Sequence, residues 1–514
     1  MVYCGKPSKA CSECRIKRRK CDLSRPACRQ CRRAGSRCDG YRVEESVTFR
    51  DQTTETLGKL SFVSNASLPN SNQDALIRPK LYQQTTVHPS QDQPSHYPWL
   101  RLAATLEDQA LNFFFHHYVV PESGRSPTHP DCHGIIYKRA TEPGYLANLI
   151  NAIGLAGLAY SKNAPTLVNS ARQAFSSALH GICAALVDHI EAASDQMLVA
   201  VMLLALFETV TLHPTADLSP WSRHADGALA LIQVRGAGQL RNRIGRSIFL
   251  HLRTEILIDC LQRGLPVPKA LMDFMAEARR NETEQAPAAL LAHILVNICS
   301  AIPLTEEYVT DERTLSSRVS RLLSIDADLK DWAQMLPAEY EYETRTKPSD
   351  LGGAEVFMGR HDVYCSAEIA NVWNLQRCAR IVLHQAIVEA ISNCLPISFS
   401  LLILSSFTDQ LSSSETTIHE SSKDICCSVP YILHSVDETG KSRDLRAAHA
   451  VHLLWPLYVA GTTHTATDTL RDCVIAAMEN IKEVTGIQKA KRIALTLQRR
   501  CFEMAVSTGG YLDA

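Results

Sequence analysis

Six cysteines near the N-terminus are spaced so that their thiolates could hold metal ions. Two and then six residues separate the first three, and the last three repeat this spacing after a six-residue connection. Two intervening residues let one tight turn aim two sulfurs at a tetrahedral metal, and six more allow a short helix and a return that supply a third thiolate. The cysteines are Cys11, Cys14, Cys21, Cys28, Cys31 and Cys38.

The number of sulfurs indicates how many metal ions these residues would bind. Each half offers three thiolates, whereas a closed structural zinc site requires four. Two such sites need eight metal–sulfur bonds, and six cysteines supply eight when two of them bridge both metals. The spacing therefore predicts two Zn(II) ions.

Metal must also supply the folding free energy of this segment. Ile16 and Leu23 are almost its only large apolar residues, too few for a hydrophobic core. A structural zinc contributes on the order of 10 kcal/mol in zinc-finger peptides.

Three alternatives to zinc binding are a chance cluster of cysteines, a disulfide knot and an iron–sulfur site. The repeated spacing argues against a chance cluster, and the missing apolar signal sequence argues against disulfides. The absence of ferredoxin spacing argues against an iron–sulfur site. Cys4 lies outside the pattern and is interpreted as an incidental thiol.

A dense run of cations lies between Cys14 and Cys21. Five of the six intervening residues are basic, and further arginines follow in the second half. Such a run is usually a solvated face, but this density on a metal-pinned helix would repel itself unless phosphates neutralised it. We therefore expect nucleic-acid contact from Arg15, Lys17, Arg18, Arg19, Lys20, Arg29, Arg32 and Arg33.

The overall charge conceals this basic segment. The chain of 514 residues has a formal net charge of −1, with 53 Lys and Arg against 54 Asp and Glu. Up to Arg42 there are thirteen basic and three acidic residues, net +10, and the remainder carries −11. A basic head on an acidic body predicts a polyanionic partner for the head alone.

The complete pattern resembles the fungal binuclear zinc-cluster transcription factors. The six-cysteine spacing, a first helix containing Arg15–Lys20, and Pro26 in the connecting loop carry the resemblance. It implies that Cys11 and Cys28 are the bridging ligands. It also implies a nuclear regulator of RNA polymerase II genes that binds double-stranded DNA at CGG-like triplets.

The same resemblance assigns roles to individual cations. Lys17 and Arg18 would reach into the major groove, where Arg18 suits guanine O6 and N7. The other basic residues of both halves would contact phosphates and set register. The run could also serve as a nuclear import signal.

The rest of the chain predicts a linker and a large helical body. Ser, Thr, Asn, Gln and Pro dominate from 43 to 104, which indicates a flexible linker between a head at 1–42 and a body at 105–514. Apolar stripes at helical spacing, such as Leu106 to Tyr118 and Leu146 to Leu158, predict an all-α body with breaks at prolines including Pro430. The longest apolar run, Met197 to Phe207, is too short to span a membrane.

The body resembles, in patches, the fungal-specific regulatory domain that accompanies such clusters. The patches are 106–110, the segment around Trp221 and Arg235, and 453–458. No sustained heptad follows the head at 43–63, so a coiled-coil dimer is not expected. A monomer, or a homodimer or heterodimer formed through the body, stays open, and no residue identifies a pocket for a small-molecule effector.

The sequence contains none of the common enzyme signatures, and it predicts no catalytic site. Several segments that suggest sites are interpreted as structural, because their spacing does not meet the geometry of the corresponding chemistry. They are His116–His117, His224 with Asp226, Cys426–Cys427 and Gly440–Lys441–Ser442. Two other classes stay open: a scaffold whose zinc head binds protein or RNA, and a helical enzyme fused to the cluster.

Overall fold

The computed structural model describes residues 10–38, 104–119, 133–212, 221–281, 286–302, 312–346, 357–393, 401–434 and 447–509. The chain divides into two compact units, Met1–Arg101 and Leu102–Ala514. The predicted linker at 43–104 lies outside the described residues except for its last residue. The stretch at 43–63 that lacks a heptad pattern also lies outside them.

The head contains two short helices of equal length that contact each other. Helix α1 spans Ser12–Ile16 and helix α2 spans Arg29–Arg33. Four cysteines, Cys11, Cys14, Cys28 and Cys31, form the only buried cluster among residues 10–38. The peptide between Arg25 and Pro26 in the connecting loop is cis.

The first helix is shorter than the sequence predicts. The expectation that Arg15–Lys20 lie in it is wrong, because α1 ends at Ile16 and the later cations follow in a turn. Arg18 adopts the left-handed conformation with φ of 47°, and the Arg19 amide donates to the Cys14 carbonyl at 2.8 Å. This is a Schellman-type helix stop, and it redirects the chain toward Cys21.

The second half of the head ends its helix in the same way. Gly35 has φ of 61°, and the Ser36 amide donates to the Cys31 carbonyl at 3.0 Å. Seventeen residues separate Arg18 from Gly35, the same offset that separates Cys14 from Cys31. The sequence repeat is therefore a repeat of backbone conformation.

The second unit is helical apart from one hairpin within its described residues, in agreement with the predicted fold class. Its helices are listed here in chain order with the two strands in their places. They are α3 Leu106–Tyr118, α4 His133–Ala140, α5 Tyr145–Ser161, α6 Pro165–Leu186, α7 His189–Ala192, α8 Asp195–Thr211, α9 Trp221–Arg235, α10 Arg243–Arg263, α11 Lys269–Asn281, α12 Pro287–Ala301, α13 Glu312–Gln334, β1 Glu343–Thr346, β2 Arg360–Val363, α14 Ala367–Ser392, α15 Leu401–His434, α16 Ala447–Thr462, α17 Asp468–Thr485 and α18 Gln488–Gly509.

Helix α3 shows how local sequence sets these elements. Thr105 and Asp108 form a reciprocal capping box, in which the Asp108 amide donates to Thr105 Oγ1 and the Thr105 amide donates to Asp108 Oδ2, both at 3.1 Å. Capping satisfies amides that have no partner in the first turn. The helix then buries Ala110, Phe114 and Tyr118 on one face, so the aromatic stripe belongs to the core.

Helix α5 lies at the centre of one part of the body. It packs against α3, α6 and α8 and is buried over most of its length. Small residues allow these close approaches. At Gly154, a side-chain Cβ would overlap the backbone carbonyl of Ala110 in α3.

Replacing Gly154 with alanine should therefore destabilise the body by about 1–3 kcal/mol, the usual cost of overpacking a core. The same substitution at Gly227, a helical glycine with open space around its Cβ position, should instead stabilise it by about 0.5–1 kcal/mol. Urea unfolding followed by tryptophan fluorescence measures both. Equal effects at the two positions would contradict the close packing of α3 on α5.

A small hairpin packs on helix α15 of the body. Strand β1 pairs antiparallel with β2, with Glu343 opposite Val363 and Thr346 opposite Arg360. The buried Arg377 guanidinium of α14 lies 3.2 Å from the Asp362 carboxylate of β2. The sequence did not predict these short strands, because they lack an apolar alternation.

Pro430 and Pro456 lie in the interior of helices of the body. The predicted break at Pro430 is wrong, because α15 continues from Leu401 to His434, and Pro456 lies within α16. Both helices pack against each other and against α14, and this tertiary packing outweighs the lost amide donor. Within the described residues, no helix combines the length and the apolar character that crossing a membrane requires.

Candidate metal centre and nucleic-acid interface

Four buried thiols of the head lie close together, at separations that suit metal ligands. The Sγ atom of Cys11 is 3.6 Å from that of Cys28 and 3.8 Å from that of Cys31. The Sγ atom of Cys14 is 3.7 Å from that of Cys28 and 3.9 Å from that of Cys31. Tetrahedral zinc with bonds near 2.3 Å places its sulfur ligands about 3.8 Å apart. The thiols therefore fit zinc.

All six cysteines of the repeat belong to two overlapping groups of four. One group is Cys11, Cys14, Cys21 and Cys28, and the other is Cys11, Cys28, Cys31 and Cys38; within each, the sulfurs lie within 4.8 Å of one another. Cys11 and Cys28 occur in both. Six donors thus offer two four-sulfur sites with two shared atoms.

Burial makes these thiols unfavourable to ionise on their own. Loss of hydration raises the pKa of Cys31 to about 12 and also raises the pKa values of Cys11 and Cys14. A divalent cation reverses this preference, because metal coordination deprotonates a thiol. The donor set and its burial therefore suit a tightly held cation. When bound, zinc supplies the cross-links that hold both halves together.

The backbone of the second half is organised around Cys28. Its sulfur accepts a hydrogen bond from the Cys31 amide at 3.3 Å and so caps the N-terminus of α2. Asp22 and Ser24 accept from the Arg29 amide at 3.0 and 3.2 Å. The Ser24 hydroxyl and this amide lower the pKa of Asp22.

The basic residues predicted to contact nucleic acid lie around this cluster. Lys17, Arg18 and Lys20 are exposed, and Arg19 is partly buried. In the second half, α2 carries the exposed residues Arg29, Arg32 and Arg33. Arg15 is within α1, and its side chain is not among those described.

Lys17 and Arg18 differ in their surroundings. The Lys17 ammonium pairs with Glu13 one turn earlier and lies 3.4 Å from the Ser36 hydroxyl. Arg18 has no side-chain hydrogen bond or ion pair to any residue that the structure describes. An arginine here is also costly, because the left-handed conformation costs a non-glycine residue about 1–2 kcal/mol. The repeat has glycine at the matching position, Gly35.

The two halves therefore present different surfaces at equivalent turns. The third and fourth residues after the second cysteine are Lys17 and Arg18 in the first half and Ala34 and Gly35 in the second. Only the first half places long cations at this turn. Neither composition nor cysteine spacing shows this difference, but aligning the two halves does.

The other candidate groups of the sequence lie in packed helices. The His224 Nε2 atom is 3.0 Å from a Glu208 carboxylate oxygen, and the His116 and His117 rings meet edge to face at 4.7 Å. Cys426 and Cys427 are buried in α15. Residues 440–442 lie outside the described residues.

One arrangement in the body has the connectivity of a catalytic triad. The His384 ring lies 3.1 Å from the Ser414 hydroxyl through Nδ1 and 3.3 Å from the Asp326 carboxylate through Nε2. All three residues are at most 2% exposed, and they do not line either of the cavities bordered by His251 and Glu255. Sequence patterns do not reveal this group, because its members are 30 to 88 positions apart. It joins α13, α14 and α15.

Six thiols in two overlapping groups of four define the head as a binuclear metal–thiolate domain. Residues 9–46 match the family model of the fungal Zn(2)-Cys(6) binuclear cluster domain. The chain thus carries a fungal zinc-cluster domain, which binds two zinc ions and belongs to DNA-binding regulators of transcription. No curated protein and no solved structure matches the chain.

Proposed function

We propose that the protein is a nuclear, sequence-specific regulator of RNA polymerase II genes that reads CGG-like triplets. The head at 1–42 would bind DNA, the segment at 43–104 would act as a linker, and the body at 105–514 would regulate activity or assembly. The six cysteines would hold the two zinc ions, with Cys11 and Cys28 as bridging ligands. These assignments extend the zinc-cluster match at 9–46 to the whole chain.

One observation carries the proposal for base reading: long cations occupy the exposed turn after α1 but not the equivalent turn after α2. Arg18 has the donor geometry to bond guanine O6 and N7, and Lys17 can reach the same edge when it leaves Glu13. An arginine kept at a left-handed position is consistent with selection for its side chain. The first half would therefore read bases.

The remaining cations would hold the backbone of the DNA. Arg15, Arg19 and Lys20 flank the reading turn, and Arg29, Arg32 and Arg33 extend the basic surface along α2. Such contacts add affinity without sequence information, and they make binding depend steeply on salt. The rest of the chain after Arg42, with a net charge of −11, would itself avoid DNA.

In vitro selection of DNA bound by the zinc-loaded, full-length protein tests the proposal. A recovered CGG-like triplet is the expected result, and its occurrence singly or in pairs would show whether the protein acts as a monomer or as a homodimer or heterodimer through the body. Enrichment of no sequence, or tighter binding to RNA than to duplex DNA, would overturn it.

The variant Arg18→Gly separates base reading from folding. Glycine suits the left-handed backbone, so the head should retain two zinc ions, while discrimination against a changed triplet should fall by about 1–3 kcal/mol. Competition binding with matched and mutated sites measures this loss. Lys20→Ala is the control, and it should weaken binding to all sequences alike and reduce the salt slope by about one. Equal losses on matched and random DNA for Arg18→Gly would contradict base reading.

A further inference from the structure

A cavity in the helical body is lined by two opposite charges that do not pair with each other. Its volume is about 240 Å³, and it lies among α3, α4, α8, α10, α16 and α18. Glu255 of α10 and Lys489 of α18 both line it, together with Glu208 of α8, whose carboxylate faces His224 at 3.0 Å, and the imidazoles of His251 and His452. A second cavity of about 170 Å³ shares the wall formed by His251, Glu255, Ile258, His452 and Trp455.

The two charged groups are partly buried within the body and face open space. Burial raises the pKa of Glu255 to about 7 and lowers the pKa of Lys489, and each charge partly offsets the effect on the other through space. Among the described residues, neither side chain forms a hydrogen bond or an ion pair. Both keep accessible surface because they line the cavity.

Unpaired charges in such a setting are costly to the folded protein. Buried ionic groups normally pair or acquire hydrogen-bond partners, because removal from water disfavours the charged form by several kcal/mol. A purely structural pair would be expected in direct contact. Here the Lys489 ammonium and the Glu255 carboxylate instead face the same cavity. A ligand bound in the cavity would therefore supply the partner of each group.

The rest of the lining is largely apolar and limits the kind of occupant. Met202, Leu203 and Leu206 come from α8, and Val451 and Leu454 come from α16. The volume lies just below the range of about 300–1,000 Å³ that is typical of drug-sized ligand sites, so the occupant is small. Trp455, on the shared wall with Glu255, adds an aromatic surface of the kind that favours a cation.

We propose that this cavity binds a small α-amino acid with an apolar side chain. Its ammonium group would pair with Glu255, its carboxylate would pair with Lys489, and its side chain would contact the apolar wall from α8 and α16. A ligand with only one of these charges would leave the other protein group unpaired. The site lies wholly in the body and does not depend on DNA binding by the head.

Binding of L-valine, L-leucine, L-methionine and L-phenylalanine to the full-length zinc-loaded protein, measured by calorimetry without DNA, tests the proposal. At least one should bind, and its amine-only and acid-only analogues should bind about 10- to 100-fold more weakly, as expected for loss of a charge-assisted contact. For leucine these analogues are isopentylamine and 4-methylpentanoate. Binding of none of the four amino acids, or equal binding of either analogue, would overturn the proposal.

Variants give a second measurement with a matched control. Glu255→Gln and Lys489→Gln should each weaken binding of the amino acid about 10- to 100-fold, while the melting temperature of the ligand-free protein stays unchanged or rises, because an unpaired buried charge has been removed. Lys491→Gln, an exposed position on the same helix, should leave affinity unchanged. Unchanged affinity in both pocket variants would overturn the proposal.

Should a variant fail to fold, the binding of the amino acid and its analogues to the wild-type protein still tests the proposal. Loss of DNA recognition in the selection experiment would bear on the head alone.

Discussion

Removing zinc is expected to unfold residues 11–38 and to leave the helical body folded. In the head, the described buried cluster consists of cysteines, and the apolar residues Ile16 and Leu23 are 77% and 49% exposed. Zinc therefore supplies the folding free energy, on the order of 10 kcal/mol per structural ion. The body instead has a continuous apolar core, and among its described residues no group of three or more thiols, imidazoles or carboxylates is arranged to hold a metal ion.

Two optical signals separate the head from the body in this experiment. All five tryptophans follow residue 98, and Trp332 and Trp373 pack edge to face in the body, 5.7 Å apart. Chelation should abolish DNA binding with little change in tryptophan emission and only a small loss of helical circular dichroism. A large loss of helical signal together with an emission shift would show that the body also depends on the metal.

Cysteine variants test how the two metals share their ligands. Cys28 belongs to both groups of four sulfurs, whereas Cys21 belongs to one. Cys28→Ser should therefore release more zinc than Cys21→Ser, and the exposed Cys183→Ser should retain both ions. Zinc released to a colorimetric chelator on denaturation gives the stoichiometry. Equal zinc content in the Cys28 and Cys21 variants would contradict bridging.

The sequence predicts the metal centre well because its determinants are local. Cysteine spacing fixes which sulfurs a turn can bring together, and it suffices to predict two zinc ions. The end of α1 was harder to predict, because an arginine at a left-handed position gives no signal by its residue type. Comparison with Gly35 in the other half would have revealed the turn at Arg18.

In the body, helical stripes predict individual helices but not their assembly. The apolar stripe from Leu106 to Tyr118 coincides with α3. The helix break predicted at Pro430 is wrong, because the packing of α15 outweighs the loss of one amide donor. The cavity that contains Glu255 and Lys489 joins residues 234 positions apart. Sequence patterns of one chain carry no information about such distant pairs, so the charged groups that are buried together emerge only from the fold.

Asp326 is the centre of one such group, and Asp326→Asn is expected to destabilise the body by about 3–5 kcal/mol. Its carboxylate lies 2.8 Å from Arg380 Nε, 2.8 Å from Lys330 Nζ and 3.3 Å from His384 Nε2. An asparagine removes the negative charge and leaves the partly buried Arg380 guanidinium and the buried His384 imidazole without their partner. Urea unfolding of the full-length protein measures the loss.

The pH dependence and a neighbouring control make this prediction specific. Burial alone would raise the pKa of Asp326, but its close contacts with His384, Arg380 and Lys330 outweigh this effect and hold the pKa below its ordinary value. The stabilisation is therefore complete above about pH 4, the ordinary aspartate range, and is lost as the pH falls through the lower native pKa. Asp326→Asn should lose less stability than wild type in that acid range.

Asp328→Asn, exposed on the same helix, should change stability by no more than about 0.5 kcal/mol and keep the wild-type acid profile. Similar losses at the two positions would mean that charge on α13, rather than the cross-link to α14, sets this stability.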